Sequence, residues 1–167
     1  LGESLQSRYQ LHYYPYHIIL DGKEYTDGVD ITPDDLFKVY RERKLLPKTA
    51  AIGIGEYMDF LRPLVEQDFE IVHFCLGSAL SAAYQNCCAA AEELGHVYPV
   101  DARSLSTGIG LQVIEAAEMA RTGLSAAEIQ AEAKKLADRS HASFILDTLE
   151  FMHAGGRCST VAALGAN

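Results

Sequence analysis

The chain has 167 residues, 49% of them hydrophobic, which suits one ordinary domain, or one domain and part of another, built on a real core. A formal net charge of −9 argues against non-specific nucleic-acid or anionic-membrane partners, because no Lys/Arg run is present to neutralise phosphates. No apolar run is long enough to span a bilayer and no charged-then-apolar leader opens the sequence, so the cytoplasm is the expected compartment.

In chain order, Leu1 to Gln10 is expected to finish a helix that begins upstream. Leu11 to Leu20 is rich in aromatic and β-branched residues and predicts a strand with Pro15 at an irregularity or edge. Asp21-Gly22 is a turn signal, and residues 23–30 complete a hairpin-like arm. Thr32 is an N-cap with Pro33 at the first helical position, predicting a helix to about Arg43. Pro47 and two glycines make Leu46 to Gly55 a loop across a sheet edge. Met58, Phe60, Leu61, Leu64 and Val65 then give a helical stripe over 56–66, kinked or ended at Pro63.

The central stretch is Ile71 to Asn86: a buried strand over Ile71–Leu76, a turn of small residues, and the start of an alanine-rich helix that ends at Gly95. A helix beginning at Ser78 or Ser81 aims free N–H groups and a hydroxyl at one point, which is an anion site. The simpler use of either serine is to cap that helix. A short strand to Asp101, a loop over Ser104–Gly110, and a helix over Leu111–Ala120 follow. Ser125-Ala-Ala-Glu128 is a capping box for a helix to about Ser140. Ser143 to Asp147 reads as a final strand, with a turn or short helix over 148–152.

Strand and helix alternating at this spacing predict an α/β fold with a mostly parallel sheet and helices on both faces, followed by the start of a second α/β domain. Ligands in such folds sit beyond the carboxyl ends of the strands, where the Leu76–Ser81 turn and the Asp101–Thr107 loop both lie.

Catalytic templates are missing. There is no Gly-x-Ser-x-Gly elbow, Walker loop or His-Glu-x-x-His, and Gly108-Ile-Gly110 lacks the third glycine of a dinucleotide fingerprint. Cys75, Cys87, Cys88 and Cys158 fit no metal-ligand spacing, and the six histidines form no ligand-spaced pair on one helix, so reduced thiols and no metal are expected. Cys75 reads as a small hydrophobe in the buried strand. Asp101 and Asp147 stand at strand ends and could pair, although capping the following loop is the commoner use. Hydroxyls on loops, with no evident base or nucleophile, suit binding better than catalysis. The alternative is a small-molecule hydrolase or phosphotransferase using Asp101, Asp147 and Ser81.

Several motifs, in order, make the chain recognisable. Residues 21–33 (DGKEYTDGVDITP), Pro47-Lys-Thr49, Leu80-Ser-Ala-Ala-Tyr-Gln85, Val100-Asp-Ala-Arg-Ser104 and residues 147–157 (DTLEFMHAGGR) resemble the DegV family of bacterial lipid-binding proteins, nearly end to end. The resemblance implies a two-domain cytoplasmic protein holding one long-chain fatty acid, such as palmitate, as ligand and no cofactor. In some members it also implies a partner kinase that phosphorylates the carboxylate. It divides this chain into an N-terminal lipid-binding domain over 1–140, lacking its first strand, and an incomplete C-terminal domain over 141–167.

Carried over residue by residue, the resemblance places the carboxylate donors at Thr49 and Ser81 and the local cation at Arg157, with Ser78, Tyr84 and Gly156 as supporting residues. Departures trim the polar contacts. Thr49-Ala-Ala-Ile52 stands where many members read Thr-Ser-Gln-Pro, Ala82 and Ala83 replace Gly-Thr, and Gly77 replaces a common serine. The family's later histidine has no counterpart among these residues, nor has its opening Asp-Ser-Thr-Ala-Asp loop. An apolar face left where the second domain belongs would favour self-association.

Overall fold

The computed structural model describes residues 1–156. In chain order the elements are α1 (Glu3–Tyr9), β1 (His17–Leu20), β2 (Lys23–Thr26), α2 (Pro33–Arg43), β3 (Lys48–Ala50) and α3 (Ile54–Val65). There follow β4 (Ile71–Cys75), α4 (Ala83–Leu94), β5 (Val97–Asp101), α5 (Ser106–Arg121), α6 (Ala126–Arg139) and α7 (Glu150–Ala154). The described residues form two compact units, Leu1–Tyr14 with Ile52–Ala142, and Pro15–Ala51 with residues 143–156.

The larger unit is built on β4 and β5, which pair in parallel from Ile71 opposite Val97 to Cys75 opposite Asp101. The crossover between them is α4, whose buried face is Ala83, Cys87 and Ala90, spaced as one side of a helix requires. α3 packs on α4, and α5 packs on α6, both pairs also touching the strands. The core includes Tyr57 and Leu61 of α3, Cys75 of β4 and Val100 of β5, each at most 1% exposed. Pro63 lies inside α3, where it withholds an N–H from the carbonyl of Asp59, and the helix ends two residues later at Val65. Ser125 and Glu128 form the expected reciprocal box at the start of α6.

The smaller unit is a three-stranded antiparallel sheet in the order β2-β1-β3. Asp21 and Gly22 both have positive φ and close the β1–β2 hairpin. Ile18 and Leu20 alternate inward and pack with Ile31, against Tyr25, Leu36, Val39 and Leu45. Thr32 caps α2 with Asp35 in a reciprocal box, and Pro33 opens the helix.

The α/β class therefore stands, with parallel pairing in β4–β5 and antiparallel pairing in the hairpin sheet. Four boundaries differ from the sequence reading, the first being α5, which starts at Ser106 inside the loop expected over Ser104–Gly110. The strand expected from Leu11 is confined to His17–Leu20, downstream of Pro15, which has no N–H for a ladder. Within the loop expected over 46–55, Lys48–Ala50 adds to the edge of β1 as β3. Ser143–Asp147 is not a strand: Phe144 is 65% and Ile145 97% exposed, and β-forming residues make a strand only where a neighbour pairs with them.

Candidate functional site

The carboxyl ends of β4 and β5 are laced together by their own loops. The Ala102 N–H donates to the Cys75 carbonyl (3.1 Å), and the Gly77 N–H donates to the Ser104 carbonyl (3.1 Å). A Cβ on Gly77 would lie 3.3 Å from the Arg103 carbonyl carbon and the Ser104 nitrogen, so the absence of a side chain is what allows this approach. Ser78 then turns its N–H (3.1 Å) and hydroxyl (2.5 Å) onto the two oxygens of Asp101, which also accepts the Arg103 N–H (3.0 Å).

Partial burial pushes the Asp101 carboxyl up, but donors from Ser78 and Arg103, with the Arg103 charge, outweigh it and hold the group below 3.8. Asp101 is thus a fixed carboxylate acceptor that organises the turn, and a poor proton acceptor for catalysis. Asp147 is exposed and belongs to the smaller unit.

Ser81 stands two residues before α4. Its Oγ accepts the Ala83 N–H at 3.2 Å, while the cap residue Ala82 makes no side-chain hydrogen bond. Accepting with oxygen leaves the Ser81 hydroxyl hydrogen as a donor, next to the first N–H groups of a 12-residue helix. Capping and ligand donation, set apart as alternatives in the sequence, are compatible in this geometry. Ser78 differs, because its hydrogen goes to Asp101. Tyr84 is half-buried on the first turn, its phenol pushed up to about 12 by a hydrogen bond with Cys88 four residues on, by burial, and by the nearby Asp101 and Cys75. Asn86 donates to the Ile52 carbonyl (2.8 Å), tying α4 to the segment that leads into α3.

Ser78, Ser81 and Tyr84 are thus gathered on one strand–turn–helix connection. Thr49 lies in β3 of the smaller unit, opposite Ile18 and exposed. Gly156 has φ +73°, a left-handed conformation that suits glycine, and Arg157 lies outside the described residues. Sequence reasoning missed the Ser78–Asp101 lock. Its one legible signal was an acid at the end of one parallel strand and a small hydroxyl residue just past its neighbour.

It also missed a cluster. His73 and Cys75 alternate onto one face of β4, where Cys87 of α4 meets them, and their ligand atoms lie within 4.8 Å of one another. Spacing arguments confined to one helix could not join a strand to a helix.

A parallel β–α–β connection with hydroxyl residues beyond the strand ends defines an α/β protein. Residues 1–166 match the family model described as uncharacterised protein, DegV family, and the chain belongs to that family. A DegV domain-containing protein of Caldanaerobacter subterraneus subsp. tengcongensis is 30% identical over 161 residues, covering 95% of this chain and 57% of the relative. A solved DegV family protein from Thermus thermophilus, described for its fatty acid binding, matches with a TM-score of 0.84 at 30% identity, over 94% of this chain and 56% of that one. DegV from Bacillus subtilis, described as a fatty acid binding protein, shares the fold with a TM-score of 0.84 at 20% identity, over 100% of this chain and 60% of its own. The chain thus spans somewhat over half the length of these proteins.

Proposed function

We propose that this chain binds a long-chain fatty acid without turning it over, the carboxylate received by the Ser81 hydroxyl and the N-terminus of α4. The observation that carries the reading is the Ser81 geometry: an oxygen engaged with the Ala83 N–H and a hydrogen left to donate. A carboxylate leaving water without such donors would lose several kcal/mol, and each buried CH₂ of the acyl chain returns about 0.8 kcal/mol. Family membership and the fatty acid binding described for the Thermus thermophilus relative support the same ligand class.

In this reading Thr49 supplies a second hydroxyl and Arg157 the cation that a chain of net charge −9 needs beside an anion. The protein works in the cytoplasm as a carrier, offering the bound carboxylate to a kinase subunit, and self-associates where an apolar face is left uncovered. Asp101 is engaged by three donors, which favours binding over the hydrolase or phosphotransferase alternative. Among the described residues no helix is long and apolar enough to cross a membrane.

The test is mass spectrometry of solvent extracts from protein purified without added lipid, alongside a Thr49→Ala/Ser81→Ala double variant. Stoichiometric fatty acid in the wild type and its depletion in the variant are expected. Equal lipid in both overturns the head-group assignment. No lipid in either, together with no uptake of added palmitate, overturns the carrier reading for this chain.

A further inference from the structure

The His73, Cys75 and Cys87 cluster is used by nothing described so far. Both sulfurs are in the core, Cys75 at 1% and Cys87 at 0% exposure, and His73 is half-buried between them and the surface. The imidazole is held edge-on by Tyr57, ring centroids 5.2 Å apart, with Phe60 at 6.5 Å. The Tyr57 hydroxyl in turn reaches the Cys75 sulfur at 3.9 Å. Two thiols and an imidazole are thus fixed on a rigid strand face and a rigid helix face, a better foundation for a metal site than loops provide.

We propose that His73, Cys75 and Cys87 form a three-coordinate site for one copper(I) ion. The donor set is the argument for the ion: thiolate sulfur selects copper(I) or zinc over harder cations, and imidazole suits both. Coordination number separates those two. Zinc favours four ligands, with water as the usual fourth when the protein supplies three. Here both sulfurs are buried, and copper(I) is satisfied by three ligands, in this case two thiolates and an imidazole. Size also fits. Around an ion with metal–sulfur bonds of about 2.3 Å, ligand atoms stand roughly 4 Å apart, so a separation within 4.8 Å closes with a small side-chain adjustment. No redox step is involved: the ion binds and leaves as copper(I), displacing thiol protons to solvent.

The experiment is anaerobic titration of the fully reduced chain with copper(I), in competition with a chromogenic copper(I) chelator. One equivalent should be withdrawn from the chelator, and affinity should fall by about tenfold or more in Cys75→Ser and Cys87→Ala. Cys88→Ser and Cys158→Ser should bind like the wild type. Because Cys75 and Cys87 are core residues, His73→Gln probes the same site from its half-exposed side, and circular dichroism checks each variant for folding. X-ray absorption of the copper-loaded wild type should show two sulfur neighbours and one nitrogen. Copper retained in folded Cys75→Ser and Cys87→Ala, an absorption shell without sulfur, or zinc bound in preference to copper(I) would each overturn the proposal.

Discussion

The Ser78 hydroxyl donates to the Asp101 carboxylate at 2.5 Å, joining the ends of two parallel strands across 23 residues of sequence. The turn that carries Ser81 is held by this bond and by the Ser78 and Arg103 N–H groups on the same carboxylate. Asp101→Asn should destabilise the protein by about 1–2 kcal/mol near neutral pH, the range for hydrogen bonds to a charged acceptor reduced for its partial exposure. The pH dependence has a definite sign. The folded carboxyl lies below its ordinary 3.8, so its contribution is complete above that value and is lost as pH falls through the lower folded value. Urea midpoints of wild type and variant should therefore differ most near neutrality and converge in acid. A difference that grows on acidification would contradict the lock.

Two glycines in α5 should respond in opposite ways to alanine. A Cβ on Gly108 would fall 2.0 Å from the Ser104 oxygen, 3.0 Å from the Ser104 Cβ and 3.2 Å from the Ala142 Cβ. Overpacking of that kind costs about 1–3 kcal/mol, against a helix-propensity gain of about 1 kcal/mol. Gly108→Ala should therefore lower the melting temperature, and adding Ser104→Ala should restore part of the loss. At Gly110 the nearest atom is Leu1 Cδ2 at 3.1 Å, the end of a flexible side chain on an exposed residue. Leu1 can give way, so Gly110→Ala should keep the propensity gain and raise the melting temperature.

The sequence announced the parts of this fold whose causes are local. Asp21-Gly22, the Thr32 and Ser125 boxes, and the apolar run into Cys75 each depend on residues a few positions apart, and each forms where expected. What depends on a partner was harder to read. Lys48–Ala50 becomes a strand because β1 offers an edge, while Phe144–Leu146, with stronger β-forming residues, stays outside any ladder. The site divides in the same way. Ser81 was visible as the residue before an alanine-rich helix, but Ser78–Asp101 and His73–Cys75–Cys87 exist only after β4, α4 and β5 have packed.

The core of the larger unit should be more sensitive than the apolar segment after α6. Leu61 is fully buried in α3, so Leu61→Ala leaves a cavity and should cost about 2–5 kcal/mol. Ile145 is 97% exposed, and Ile145→Ser should change stability by no more than about 0.5 kcal/mol while improving solubility. Chemical denaturation of both variants, with light scattering for the second, checks the contrast. A large loss of stability in Ile145→Ser would mean that this segment is covered in solution.

If Ser81 receives a carboxylate, ligand and fold are linked in a way that separates its role from that of Ser78. Saturating palmitate, at about 100 times the dissociation constant, should stabilise the wild type by about 2.7 kcal/mol through mass action. In Ser81→Ala the hydroxyl donor is gone, and the same palmitate concentration should give a clearly smaller shift, with the unliganded stability little changed because only an acceptor for the Ala83 N–H is removed. Ser78→Ala should show the reverse pattern: lower unliganded stability through loss of the Asp101 bond, and a palmitate-induced shift retained to the extent that the turn keeps its shape. Palmitate methyl ester, which has the acyl chain without the charge, should shift the wild type less than the acid does. Equal shifts from acid and ester would assign the binding energy to the chain alone and remove the carboxylate role from Ser81.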